Sequence, residues 1–340
     1  MKALVFVGVE RVALEDVPEP ELLEAGDVVV EVDAAGLCGS DLHPYFGREV
    51  GLDPGTVLGH EFTGRVVAVG SEVESWSVGD RVVAPFTTSC GWCELCRLGL
   101  TARCAEGQLF GWIQGGVGLH GGQARRVRVP LADGTLVSVP KELDDDALAL
   151  LAGDILSTAL FGVELAAVGP GDRVGVVGCG PVGLLAIRAA FRRGAEAVAA
   201  VDPVADRRAL AERFGATVGA VPEVEGTMDA VVEAVGTPEA TRTAAGLLRP
   251  GGRLAAVGVH TERHLALSPG ELYDRNLTYA AGRCPARRFL PEALAMAVDE
   301  AALLGALVSH RLPLTDGAEA YRRFGAREPG WHKVVFLPGD

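Results

Sequence analysis

Lysine is scarce in this sequence: Lys2, Lys141 and Lys333 are the only three among 340 residues, so arginine carries almost all of the positive charge. Positive charge as a whole is also short. Lys and Arg number 31 against 45 Asp and Glu, a formal net charge of −14. A field of that sign repels phosphate backbones and acidic lipid headgroups, so neither nucleic acid nor a membrane surface is an expected partner. Long apolar runs are missing too. One apolar uncharged stretch, 174–187, falls short of the ~20 residues that cross a bilayer and is broken by glycine and proline. At the N-terminus only 3–9 is apolar before Glu10 and Arg11, with no small-residue cleavage site, so a chain without a secretory leader, resident in the cytoplasm, is expected. Core-forming residues, by contrast, are plentiful: 49% of the chain is hydrophobic, which excludes wholesale disorder. The length suggests about two domains. Seven cysteines make an odd count, and four of them fall within 90–104. In a reducing compartment thiols so crowded read as metal ligands, not as bridges.

The chain changes character along its length. Up to about 150, short β-branched runs (28–32, 63–69, 81–84, 124–129) alternate with glycine and proline turns, which predicts a mostly antiparallel, barrel-like unit. From Asp172 the rhythm becomes strand, glycine turn, helix, strand. Strands are expected at 173–177, 197–201, 229–235, 253–259 and 277–281, with helices at 182–193, 205–214 and 238–248. Repeated βαβ units of this kind build a doubly wound parallel sheet, so the fold class is α/β. A helix over 291–304 and a strand over 334–337 leave the alternation and are expected to return to the first domain. The predicted domains are 1–154 with 283–340, and 155–282.

Gly178-Cys179-Gly180-Pro181-Val182-Gly183 follows an apolar strand and opens a helix. The first glycine permits the turn, the second lets backbone N–H groups approach a pyrophosphate at the helix N-terminus, and the third lets helix and strand pack closely. Asp202 ends the next strand, nineteen residues after Gly183, where a carboxylate accepts from ribose hydroxyls. Its alternative role is to cap the helix after Pro203. A carboxylate there repels a 2′-phosphate and favours NAD over NADP, while Arg207 and Arg208, one turn on, soften the preference.

Cys90, Cys93, Cys96 and Cys104 offer four soft thiolates on one loop. That is the ligand set of a closed tetrahedral zinc site, with an iron–sulfur cluster as the alternative. A second, open site is suggested by Cys38 in Cys38-Gly39-Ser40-Asp41-Leu42-His43 and His60 in Gly59-His60-Glu61, both in glycine-bracketed loops. A catalytic zinc needs three protein ligands and an exchangeable position, and these two supply part of it.

Cys-Gly-Ser-Asp-x-His, Gly-His-Glu, the four-cysteine lobe, Gly-Asp-Arg-Val at 79–82 and Gly-x-Gly-Pro-x-Gly occur here in one order. In that order the sequence resembles the zinc-dependent medium-chain dehydrogenases from Met1 to the Lys333-Val-Val tail. The resemblance implies a GroES-like β-barrel catalytic domain holding two zinc ions per chain, a Rossmann domain for NAD, and a substrate cleft between them. It assigns Cys38 and His60 as the first two catalytic ligands and Glu61 as the acidic residue beside them. It places Asp154, in Ala152-Gly153-Asp154-Ile155-Leu156-Ser157-Thr158, where the third ligand stands, as in the formaldehyde dehydrogenase and dismutase branch. The competing role for Asp154 is to cap the following helix. Cys90, Cys93, Cys96 and Cys104 become the structural zinc site. Ser40 and His43 match the proton relay from the alcohol, through the cofactor ribose, to solvent. Thr158 is expected to face the nicotinamide, Ala234, Val235, Val257, Gly258 and Val259 to wall it, and Lys333 to reach the pyrophosphate; for each of them the alternative is a core or surface residue. Gly39 stands where many relatives carry a basic residue. Phe110, Trp112 and His120 fall where the family's substrate-facing loop sits, with the core as the equal alternative for the aromatic residues. The implied activity is NAD-linked oxidation of an alcohol or polyol, or the reverse, by a homo-oligomer (tetramer or dimer). A formaldehyde dehydrogenase or dismutase and a non-catalytic dinucleotide sensor are the alternatives.

Overall fold

A computed structural model of the chain describes residues 1–218 and 225–339. Contacts divide it into two units, Met1–Asp154 with Pro285–Asp340, and Ile155–Cys284.

The first unit is built on a mostly antiparallel sheet around the Val28–Leu37 strand, whose Val28, Val30 and Val32 face the core. Burying each such side chain contributes roughly 1.5–3 kcal/mol. This strand pairs with Phe62–Val69, with Arg126–Val129 and with the C-terminal Lys333–Phe336 strand. Two registers position the candidate site: Ala35 stands opposite Phe62, and Leu37 opposite Val334. They bring the ends of three strands, remote in sequence, to one place. The apolar start of the chain is a strand as well, Lys2–Gly8, which forms a two-stranded ribbon with Arg11–Asp16.

The second unit carries a six-stranded parallel sheet in the order Thr217–Val218, Ala197–Val201, Arg173–Val177, Met228–Glu233, Leu248–Ala256, Thr278–Ala281. Numbered along the chain this is 3-2-1-4-5-6, the doubly wound order, whose direction of winding reverses between the third and fourth positions. The carboxyl ends of Arg173–Val177 and Met228–Glu233 lie at that switch point.

Several elements differ from the periodicity. The strands expected to reach 235 and 259 stop at Glu233 and Ala256, because the N–H groups of Val257 and Gly258 turn to the Glu233 carbonyl (2.9 and 3.2 Å). The late helix starts at Ala286 and contains Pro291, which has no backbone N–H to donate. One helical stretch, Asp146–Leu165, has the length and composition of a membrane span, although Asp154 interrupts its run of uncharged residues. It is 78% buried over its most apolar window, and the protein's own core accounts for that apolarity.

Candidate metal centres and active site

Cys38 follows the Val28–Leu37 strand and His60 precedes its neighbour, with Gly36 N–H donating to the Glu61 carbonyl at 2.9 Å. Asp154 arrives from elsewhere in the first unit, on a single π-helical turn, Ala152–Leu156, set within the apolar helical stretch. Such turns, which insert one residue into a helix, recur at functional sites. Gly153 is required beside it, since a Cβ would stand 2.4 Å from the Ala84 carbonyl oxygen.

Cys38 Sγ lies 3.7 Å from Asp154 Oδ2, and His60 Nε2 lies 3.3 Å from the same oxygen. All three donors fall within 4.8 Å of one another. Tetrahedral zinc with ordinary bond lengths places sulfur and oxygen ligands about 3.6 Å apart and nitrogen and oxygen about 3.4 Å apart. The residues therefore fit a zinc ion, with three ligands and a fourth position left open. Charge supports the same conclusion. Burial pushes the Cys38 thiol up, as do the nearby Glu61 and Asp154 carboxylates. Burial pulls His60 down, but Asp41 and Asp154 more than offset it and hold the ring well above the usual histidine range. A divalent cation reverses this balance and ionises the thiol.

Asp41 has a role that the spacing did not signal. Its Oδ1 lies 3.1 Å from His60 Nδ1 and its Oδ2 accepts the Cys38 N–H at 2.8 Å, so one carboxylate orients both ligands. The pattern offered a clue, an acid inside the same loop as Cys38, but no partner for it. Ser40 Oγ sits 3.2 Å from His60 Nε2, at the edge of the donor set. His43 is half-buried, its Nδ1 has no hydrogen-bond partner, and burial draws its pKa below the ordinary value.

Lys333 is fully buried, pairs with Glu61 Oε2 and donates to the Leu37 carbonyl at 3.2 Å, so its ammonium is engaged inside the first unit. Burial lowers its pKa, yet the Glu61 charge more than offsets this and keeps the ammonium. The cause is strand register: Val334 opposite Leu37 carries Lys333 to the strand end where Glu61 lies. Phe110 is likewise a core residue, 1% exposed and edge-on to Phe62 at 4.9 Å. His120 Nδ1 accepts the Val57 N–H at 3.1 Å, and Trp112 packs on the core from a short hairpin.

The four-cysteine lobe is a second donor set. Cys90, Cys93, Cys96 and Cys104 place their sulfurs within 4.8 Å of one another, and the Cys90–Cys96 and Cys93–Cys104 pairs stand 4.0 Å apart. A disulfide needs about 2.05 Å. Four sulfurs around one zinc need about 3.8 Å, so the cage suits a single ion, with no room for a polynuclear cluster. Backbone N–H groups of Cys90 and Cys93 point at Cys104 and Cys90 Sγ (3.2 and 3.3 Å), as thiolates require. Bonds from the Ala105 and Cys96 N–H groups hold the Cys93 thiol down at about 6, whereas burial pushes Cys96 up to about 12.

In the second unit the Gly178–Gly183 loop leads into the Pro181–Arg192 helix. A Cβ on Gly183 would stand 1.7 Å from the Gly178 carbonyl, whereas Gly180, the N-cap, has open space around it for a ligand to approach. Asp202, at the end of the neighbouring strand, accepts the Cys179 N–H through Oδ2 and the Val204 N–H through Oδ1, both at 2.8 Å. It thus ties the glycine loop to its own turn while keeping its charge at the loop. Arg207 comes within 4.0 Å of that carboxylate, and Arg208 binds the Asp202 and Pro203 carbonyls. Ala234, Val235, Val257, Gly258 and Val259 occupy the two loops after Glu233 and Ala256, and Thr158 is buried on the Ser157–Leu165 helix.

Residues 24–141 match the family model of the alcohol dehydrogenase GroES-like domain, and residues 181–299 that of the zinc-binding dehydrogenases. The chain is 38% identical to zinc-type alcohol dehydrogenase B of Aspergillus flavus, over all of this chain and 82% of that protein. Among solved structures it is similar to alcohol dehydrogenase TADH from Thermus sp. ATN1, with 37% identity, a TM-score of 0.92 and 99% of each chain covered. It is also similar to an NADP-bound zinc-binding dehydrogenase from Sinorhizobium meliloti 1021, with 28% identity, a TM-score of 0.83 and 99% of each chain covered.

Proposed function

This chain belongs to the zinc-dependent medium-chain dehydrogenases, and from that premise we propose that it interconverts an alcohol or polyol and its aldehyde or ketone by hydride transfer with NAD. The observation that carries the reading is the spacing of the Cys38, His60 and Asp154 donors, 3.7 and 3.3 Å about one oxygen, which suits a zinc ion with an open position. The cysteine lobe, with four ligands and no open position, would hold a second zinc for structure alone.

Zinc bound at the open site supplies Lewis acidity, which lowers the pKa of an alcohol hydroxyl toward neutrality. The protein's own groups do the rest. Asp41 fixes the His60 ring through Nδ1, so that Nε2 faces the donor set. Ser40 Oγ, 3.2 Å from Nε2, is placed to take the hydroxyl proton. His43, held neutral by burial, is a suitable acceptor for passing that proton on to solvent. The balance is simple. The carbinol carbon loses a hydride and its oxygen a proton, the oxidised dinucleotide gains the hydride, and the proton leaves through Ser40. Glu61 and Lys333 form a neutral buried pair that packs behind the ligands without adding net charge. Asp202 beside the glycine loop favours NAD over NADP, because its charge repels a 2′-phosphate.

The test is a panel of primary, secondary and sugar alcohols with NAD and with NADP, following the absorbance of the reduced cofactor, alongside metal analysis. Turnover with at least one alcohol by zinc-loaded protein is expected. Protein that takes up no zinc, or that is fully loaded and inert with every alcohol and aldehyde, overturns the proposal. The aspartate at the third ligand position also suits a formaldehyde dehydrogenase or dismutase, and turnover without added dinucleotide would identify that branch.

A further inference from the structure

Glu233 ends the fourth strand at the switch point with its side chain fully buried. Oε1 accepts the N–H groups of Val235 and Gly236, each at 2.7 Å, and Oε2 faces His260 Nε2 at 2.9 Å. Its main-chain carbonyl accepts from Val257 and Gly258. One residue therefore binds two loops, 234–236 and 257–260, each at the end of one of two adjacent parallel strands. The loops touch backbone to backbone: a Cβ on Gly236 would stand 2.3 Å from the Val259 carbonyl, and one on Gly258 2.2 Å from Gly236 N. They also abut the glycine loop, since a Cβ on Gly178 would meet Val235 Cγ2 at 2.4 Å.

A buried carboxylate must have its charge met by hydrogen bonds or a cation. The two amides satisfy Oε1, and His260 is the side-chain partner of Oε2. Without the imidazole, Oε2 must draw in water or the carboxylate must rotate away from the Val235 and Gly236 amides. Either change loosens both loops. We propose that His260 is a positioning residue that, through Glu233, staples the 234–236 and 257–260 loops and so fixes the surface on which a dinucleotide rests at the switch point. The binding consequence depends on the dehydrogenase reading; the staple itself does not. His260 also lines a pocket of about 210 Å3, together with Pro238, Thr241, Arg263, His264 and Tyr279 among others, so substitutions of similar size are accommodated without overpacking.

His260→Leu removes the donor, and His260→Gln keeps one. Hydrogen exchange read over 234–237 and 257–261, with 174–177 as the internal control, tests the staple. NADH titration and the split between kcat and the cofactor KM test its consequence. Loss of a charge-assisted bond predicts about tenfold faster exchange in both loops of His260→Leu, about tenfold weaker NADH binding and a larger change in KM than in kcat. His260→Gln is expected to recover both to within about threefold. Unchanged exchange in His260→Leu, or failure of His260→Gln to restore it, overturns the staple. Altered exchange with unchanged NADH binding overturns the positioning role. Wild-type protein that binds neither NADH nor NADPH overturns the dehydrogenase reading instead, and the exchange measurement still decides the staple.

Discussion

Replacing Lys333 by methionine is expected to destabilise the first unit strongly, and the structure sets the size of the effect. Lys333 and Glu61 form an ion pair in which neither side chain is more than 1% exposed. Methionine keeps the length and the apolar stem but removes the ammonium. The Glu61 carboxylate is then buried with no counter-charge, close to Cys38 and Asp154, and its Oε1 already lacks a partner. Breaking one side of a buried pair costs about 3–5 kcal/mol, whereas removing both charges is often nearly neutral. The variant pair Lys333→Met and Lys333→Met with Glu61→Gln therefore separates charge from packing. Tryptophan fluorescence reads this unit selectively, because all four tryptophans (Trp76, Trp92, Trp112 and Trp331) belong to it. With an m-value of about 2 kcal/mol/M, the single variant should lower the urea midpoint by roughly 2 M at fixed zinc concentration, and the double variant should recover most of that loss. A midpoint within about 0.3 M of wild type, or a double variant no better than the single, would refute the reasoning.

Asp154→Asn removes an anionic ligand and should weaken the open zinc site by about 100-fold or more, taking the chain from about two zincs to about one after dialysis against a mild chelator while the cysteine lobe keeps its metal. Unchanged metal content with full turnover would remove Asp154 from the ligand set. Asp41→Asn keeps the shape but loses the charge that orients His60 and the Cys38 amide, so metal affinity or turnover should fall by about 10–100-fold with the urea midpoint little changed; equal losses in stability and activity would point to a packing role. Asp202→Gly should raise the NADP/NAD ratio of kcat/KM at least about tenfold by removing a charge next to the 2′ position. It should also weaken NAD itself, because the Cys179 N–H loses its acceptor, and an unaltered ratio would disprove the carboxylate's role in cofactor choice.

What was legible in the sequence is what is written locally. The glycine loop and Asp202 belong to one βα unit, and the four cysteines to one short lobe, so spacing along the chain nearly equals spacing in the fold. The parallel sheet was legible for the same reason, since most of its apolar runs are followed within three residues by a glycine. The strand ends at Glu233 and Ala256 were not, because they depend on a carbonyl accepting from the next strand's loop. Nor did any residue pattern announce the π-turn that carries Asp154. Position along the chain leaves Phe110 open between the substrate side and the core, because its edge-on contact with Phe62, like the His120 bond to Val57, is made by pairing across the fold.

The pairs that escaped the sequence are both made across the fold. Glu61 and Lys333 are 272 residues apart, and Glu233 and His260 are 27 apart at the ends of separate strands. The first pair exists because a strand register sets one side chain against the other, and the second because a loop after one strand folds back on the end of its neighbour. Side chains alternate with a period of two along a strand, so a one-residue slip of the Lys333–Phe336 strand against Val28–Leu37 would turn Lys333 to the opposite face and leave Glu61 charged and alone. The buried pair therefore penalises the wrong register by the same 3–5 kcal/mol, approximately, that the Lys333→Met variant is expected to lose. The only lysine this chain places at full burial thus specifies register in the sheet that holds Cys38 and His60 in line with Asp154.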